Sequence, residues 1–115
     1  MKHIKLVVNN DKIKRGKEEF FIKKELQCIL NLYAKMVSNG SWKDYAFSTG
    51  SREVSFDVYQ RTSEKPVIRI TKNLKPKYSN EKFFIKDRNG NILNKSENLN
   101  YLISKTKWNK LRLVK

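Results

Sequence analysis

The clearest periodicity in the chain lies between residues 20 and 38. Ile22, Leu26, Ile29, Leu30, Tyr33, Met36 and Val37 form one continuous apolar stripe on a helical period, and Lys23, Lys24, Gln27, Asn31 and Lys35 lie off it. The pattern predicts an amphipathic helix resting on a core. Asn39-Gly40 ends it, because glycine takes the left-handed conformation that follows many helices at no steric cost. Beyond Gly40 the period changes from helical to alternating. Trp42 to Phe47 reads as a first strand, and Ser48-Thr49-Gly50-Ser51 as a turn of small residues. Val54, Phe56 and Val58 alternate with Ser55, Asp57 and Tyr59, which predicts a half-buried strand over 53–60. Arg61 to Lys65 connects it to Val67-Ile68-Arg69-Ile70-Thr71-Lys72, where alternation resumes behind Pro66, a strand-opening position that proline tolerates.

The apolar faces of these two strands match if Val58 lies opposite Ile68 and Phe56 opposite Ile70. The same register puts Asp57 opposite Arg69 on the other face, and Tyr59 opposite Val67. Asn73 to Asn80 is a loop, and Phe83-Phe84-Ile85 marks a fourth strand within 81–87. Asn89-Gly90 is a hairpin signal that suggests a type I′ turn into the short return strand at Ile92-Leu93. Ser96 or Asn98 then caps a second helix carrying Leu99, Leu102, Ile103 and Thr106. The elements make an α+β domain: an N-terminal helix, an antiparallel β-meander of four to five strands and a C-terminal helix, the helices on one face. The domain is expected over 18–108. Residues 1–17 form a basic N-terminal arm or edge strand, and residues 109–115 a tail or short strand.

Trp42 and Tyr45 sit three residues apart at the junction of helix and sheet. On an alternating strand they point to opposite faces, one into the core and one outward. A chain of 115 residues fits one domain that buries roughly 65% of its unfolded surface.

Charge changes the picture most. The formal net charge is +15, from 26 basic and 11 acidic residues. A field of that sign draws in polyanions: nucleic acid, an anionic membrane surface or an acidic protein. Lysines far outnumber arginines, and Asn and Ile are frequent. These three share AT-rich codons, so nucleotide composition is a second source of the excess. No run of apolar residues reaches membrane-spanning length, and the first residues have no signal-peptide pattern. With one cysteine, Cys28, the chain builds no internal disulfide, and the expected location is the cytoplasm.

Enzymatic chemistry finds little support. His3 is the sole histidine, so a Ser–His or Cys–His pair has no natural base. No CxxC, HxxxH or clustered carboxylate spacing suggests a metal, and the isolated glycines build no phosphate loop. The expectation is a non-catalytic domain with neither cofactor nor metal, binding nucleic acid, RNA before DNA. The candidate contact residues are Trp42, Lys43, Tyr59, Arg61, Arg69, Lys72, Lys75 and Lys77. Aromatics on an uncovered sheet face stack unpaired bases, and the cations hold phosphates. The plainer account of the same residues is that Trp42 is core, Tyr59 covers the sheet and the lysines are a solvated surface. The competing class is a protein-interaction or assembly module whose sheet edge or face receives an acidic protein.

Residues 20 to 104 also carry a family resemblance. Glu25-Leu26, Ile29-Leu30 and Tyr33 are followed by Trp42-Lys43-Asp44-Tyr45-Ala46, then by Phe56, Val58, Arg61, Ser63-Glu64, Pro66, Arg69-Ile70 and Lys72, and last by Gly90, Ile92-Leu93 and Leu99. This series resembles a small alphaproteobacterial family of unknown function. The chain departs from the family pattern at Gln60, Ile68 and Thr71, where the pattern has an arginine, an aromatic and an acid. The resemblance implies a free-standing bacterial intracellular domain and carries no activity with it.

Overall fold

The computed structural model describes residues 19–60 and 65–108. The elements run α1 (Lys23–Ser38), β1 (Asp44–Thr49), β2 (Glu53–Tyr59), β3 (Ile68–Asn73), a 3-10 turn (Ser79–Glu81), β4 (Phe83–Asp87), β5 (Ile92–Ser96) and α2 (Leu99–Lys105). The strands form one antiparallel sheet in the order β1-β2-β3-β4-β5, so each pairs with its neighbour in sequence. The fold is the α+β meander that the periodicities predict. The basic arm at 1–17, Arg61 and the tail at 109–115 lie outside the described residues.

The predicted register holds. Phe56 pairs with Ile70, Asp57 with Arg69 and Val58 with Ile68. Strand alternation then sends Val54, Phe56, Val58, Ile68, Ile70, Phe83 and Ile85 to one face. There they meet Leu26, Ile29, Leu32 and Met36 of α1 and Leu99 and Leu102 of α2 in a single core. The helical stripe is shifted from the expected one. Leu32 is buried, whereas Val37 stands 40% exposed.

Both helix ends have identifiable chemistry. At the C-terminus of α1, Gly40 takes φ +82 and donates to the Val37 carbonyl at 3.0 Å, while the Ser41 amide reaches the Met36 carbonyl at 2.9 Å. This is a Schellman closure, and it consumes two carbonyls that the helix leaves open. It also turns the chain so that Trp42 enters the core, 5% exposed. Tyr45 lies on the same side, its ring stacked 4.9 Å from Phe56. Trp42 and Tyr45 therefore do not face opposite ways. The strand starts only at Asp44, so alternation does not extend back to Trp42. Trp42 meets Trp108 edge-on at 5.7 Å, which fastens the end of α2 beside the end of α1.

The β4–β5 turn differs from the expected type I′. Gly90 alone adopts positive φ, and no non-glycine residue does. The Gly90 amide donates to the Asp87 carbonyl at 3.0 Å and the Asp87 amide to the Asn91 carbonyl at 2.9 Å. This is the longer loop, a type I turn closed by a left-handed glycine. Asp87 selects it: its Oδ1 accepts from the Asn89 and Asn91 amides, both at 2.9 Å. Of the two candidate caps for α2, Asn98 serves, its Oδ1 accepting from the Tyr101 amide at 2.8 Å.

One charged residue sits inside the core. Lys72 continues the row of Ile68 and Ile70, pairs with Val54 and Phe83, and is 1% exposed. Its ammonium donates to Glu25 Oε1 at 2.8 Å and to the Phe20 carbonyl at 3.1 Å. The same Glu25 oxygen accepts from the Ile22 amide at 2.8 Å, one of the orphan donors at the start of α1. Removing one partner of such a pair leaves an uncompensated buried charge, which costs about 3–5 kcal/mol, whereas replacing both by apolar residues is often neutral. Lys72→Met and Glu25→Leu are each expected to lower stability by about that amount in urea unfolding. The double variant is expected to recover most of the loss. Additive losses would show that the pair is not coupled.

Candidate nucleic-acid interface

The face of the sheet opposite the core carries no helix among the described residues. By register it presents Asp44, Ala46 and Ser48 from β1, Glu53, Ser55, Asp57 and Tyr59 from β2, Arg69, Thr71 and Asn73 from β3, Phe84 and Lys86 from β4, and Ile92 and Lys95 from β5. Its middle is closed to solvent. Ser55, Asp57, Thr71 and Phe84 are all buried, and Tyr59 is half-buried. What the face exposes is Arg69, at 44% of its side chain, and Glu53, at 48%, together with Ala46, Ser48, Lys95 and Ile92.

The eight expected contact residues are dispersed. Trp42 and Lys72 belong to the core, so neither offers its side chain to a ligand on the surface. For Trp42 the reason is the Schellman closure. For Lys72 it is the strand parity that it shares with Ile68 and Ile70. Arg61 lies outside the described residues. Lys43 is exposed just before β1, its amide bonded to the Tyr59 carbonyl at 3.0 Å, so Lys43 and Tyr59 occupy one end of the sheet. Lys75 and Lys77 are exposed beyond the opposite end of β3. Arg69 lies between these ends, one residue from the start of its strand.

The end that holds Lys75 and Lys77 gains members that the sequence did not single out. The Leu74 amide bonds to the Arg52 carbonyl at 2.8 Å, which sets the β1–β2 turn beside the loop after β3 and brings exposed Arg52 near Lys75. Tyr78 follows Lys77 in the same loop and is 62% exposed. The run Lys75-Pro76-Lys77-Tyr78 is itself a legible signal: two lysines followed by an aromatic in a loop with no apolar period. The proximity of Arg52 was not legible, because it depends on the sheet register.

On the helical side a groove of about 430 Å³ runs between α1 and α2, lined by Lys24, Gln27, Cys28, Asn31, Leu32, Lys35, Asn100 and Ile103. Cys28 is half-buried there, its thiol donating to Asn100 Oδ1 at 3.4 Å. Burial pushes the thiol pKa up, and the nearby Glu25 carboxylate adds to the shift. Tyr33 and Tyr45 are moved in the same direction, first by burial and then by the Asp44 charge, so both phenols stay neutral. Among the described residues no group of three or more His, Cys, Asp and Glu side chains is placed to hold a metal. No helix of the described residues is long and apolar enough to cross a membrane.

The arrangement defines a class: a five-stranded meander backed by two helices, with cations distributed over its surface. Residues 20–103 match the family described as "Protein of unknown function (DUF2794)", and the chain belongs to that family. No curated protein and no solved structure matches the chain.

Because its thiol pKa is raised, Cys28 carries less thiolate at neutral pH than an ordinary cysteine. Its reaction with a disulfide reagent is expected to be slower than that of glutathione at pH 7. Its rate should climb with pH to a midpoint above that of a free cysteine. A rate matching or exceeding that of glutathione at pH 7 would refute the raised pKa.

Proposed function

We propose that this protein is a small, basic, non-catalytic domain of the bacterial cytoplasm that binds nucleic acid, RNA before DNA. The observation that carries the reading is the +15 charge, together with exposed Lys43, Arg69, Lys75 and Lys77 on surfaces that no helix of the described residues covers. A polyanion would meet Lys43 and Arg69 near one end of β3 and Lys75 and Lys77 beyond the other, with Tyr59 at the first and Tyr78 at the second. Arg52 and Tyr78 extend the originally expected set, and Trp42 and Lys72 leave it. The preference for RNA rests on the loop aromatic. Tyr78 between Lys77 and the 3-10 turn suits an unstacked base better than a duplex groove. The non-catalytic reading rests on side-chain chemistry: the one cysteine is held as the thiol, and the one histidine is His3.

A second reading, an interaction module for an acidic protein, draws on Ile92. It stands 54% exposed on β5, an outer strand of the sheet among the described residues.

Fluorescence anisotropy with labelled single-stranded RNA, the matching DNA and a duplex, each at several salt concentrations, separates the two. RNA is expected to bind tightest, with log K falling against log salt by about 0.7 for each phosphate held. Lys75→Ala and Lys77→Ala should each reduce that slope, and Tyr78→Ala should weaken binding to the single strand more than to the duplex, all without a change in melting temperature. Binding with no salt slope overturns the nucleic-acid reading. A stoichiometric complex with one acidic protein in its place selects the second.

A further inference from the structure

The sheet face that no described helix covers is poor in exposed aromatic surface, but it contains an exposed cation paired with a buried acid. Asp57 stands in the second strand with 1% of its surface exposed. Its carboxylate is already committed: Ser48 Oγ donates to Oδ2 at 2.5 Å and Ser55 Oγ to Oδ1 at 2.7 Å. Arg69, directly opposite on β3, approaches this carboxylate through Nε, 3.4 Å from Oδ1.

We propose that Arg69 is a phosphate-binding fork, and that Asp57, held by Ser48 and Ser55, is the positioning residue that aims it outward. An aspartate free of other partners chelates a guanidinium through two parallel bonds and so occupies the fork. Here the two serine hydroxyls take up the carboxylate oxygens, and the acid meets Arg69 as an ion pair at its inner nitrogen, with no hydrogen bond between them. Among the described residues no hydrogen bond occupies the two terminal nitrogens. Those are the donors whose spacing matches two phosphate oxygens. A second cation lies beside them. Lys86 is paired with Arg69 across β3 and β4, and its Nζ lies 5.4 Å from the centre of the Phe84 ring. Its nearest acid is half-exposed Glu53, at 3.9 Å, an interaction too long and too wet to hold the lysine. Arg69 and Lys86 are matched in number by Asp57 and Glu53, so the field that draws an anion here comes from the chain's net charge of +15.

The inference rests on the nucleic-acid reading and refines it: the uncovered face grips the backbone of a single strand, and recognition of bases falls to the loops. It is tested by anisotropy with a short labelled single-stranded RNA across a salt series. Arg69→Ala is expected to weaken binding about tenfold and to lower the salt slope by about 0.7, the value of one lost phosphate contact. Arg69→Lys keeps the charge but loses the fork, and is expected to weaken binding about threefold to tenfold. Asp57→Asn separates positioning from bulk charge by sign. It removes a negative charge, so a charge-only account requires tighter binding. Loss of the aim requires weaker binding, about threefold or more.

If the wild-type chain binds RNA with a salt slope and Arg69→Ala changes neither affinity nor slope, the fork is overturned and the nucleic-acid reading survives. If the wild-type chain shows no salt-dependent binding, both fall. Tighter binding by Asp57→Asn overturns the positioning role. Should Asp57→Asn fail to fold, Arg69→Lys decides alone, since Arg69 is exposed, and unchanged affinity there overturns the fork.

Discussion

The buried ion pair between Lys72 and Glu25 determines how the helical layer sits on the sheet. A lysine placed among Val54, Phe83 and the first turn of α1 is tolerable only with a carboxylate and further acceptors in reach. Glu25 supplies the charge and Phe20 a carbonyl. Because Glu25 also accepts from the Ile22 amide, the contact fixes where α1 begins and over which strand it lies. Hydrophobic burial is non-directional and would accept several helix positions on this sheet. The ion pair accepts one.

The other end of the helical layer is held differently. The Schellman closure at Gly40 turns the chain downward, Trp42 enters the core, and Trp108 meets it edge-on while its indole nitrogen donates to the Ile103 carbonyl at 3.0 Å. Tyr33 and Tyr45 pack edge-on at 4.8 Å next to this contact and extend the aromatic layer toward Phe47 and Phe56. The two ends thus use opposite physics: a desolvated charge pair at the start of α1, and large apolar surface with one satisfied donor at its finish. Between them the sheet has one face in the core and one face that no described helix covers.

The legible part of the fold was whatever depends on local alternation or period. The β2–β3 register followed from matching Phe56 to Ile70 and Val58 to Ile68, and it placed Asp57 opposite Arg69 correctly. Lys72 was misassigned because its charge suggested the surface, although its parity with Ile68 and Ile70 pointed inward; Glu25 in the first helical turn was the complementary sign. The β4–β5 turn was misassigned because Asn-Gly is the common type I′ pair, and Asp87 draws the loop into a longer form by bonding two later amides. For the candidate site, residue types were visible but their grouping was not. Nothing in the local sequence says that Arg52 lies beside Leu74, or that Ser48 and Ser55 occupy the oxygens of Asp57 and leave the fork of Arg69 unengaged.

The sequential strand order has a kinetic meaning. Every pairing in the sheet joins neighbours in the chain, so each hairpin closes a short loop at little entropic cost. The two contacts that attach the helices work over far greater separations: Glu25 and Lys72 are 47 residues apart, and Trp42 and Trp108 further still. The described strands thus make their pairings between chain neighbours, which lowers the contact order and favours fast folding, while the attachment of the helices carries most of the long-range cost.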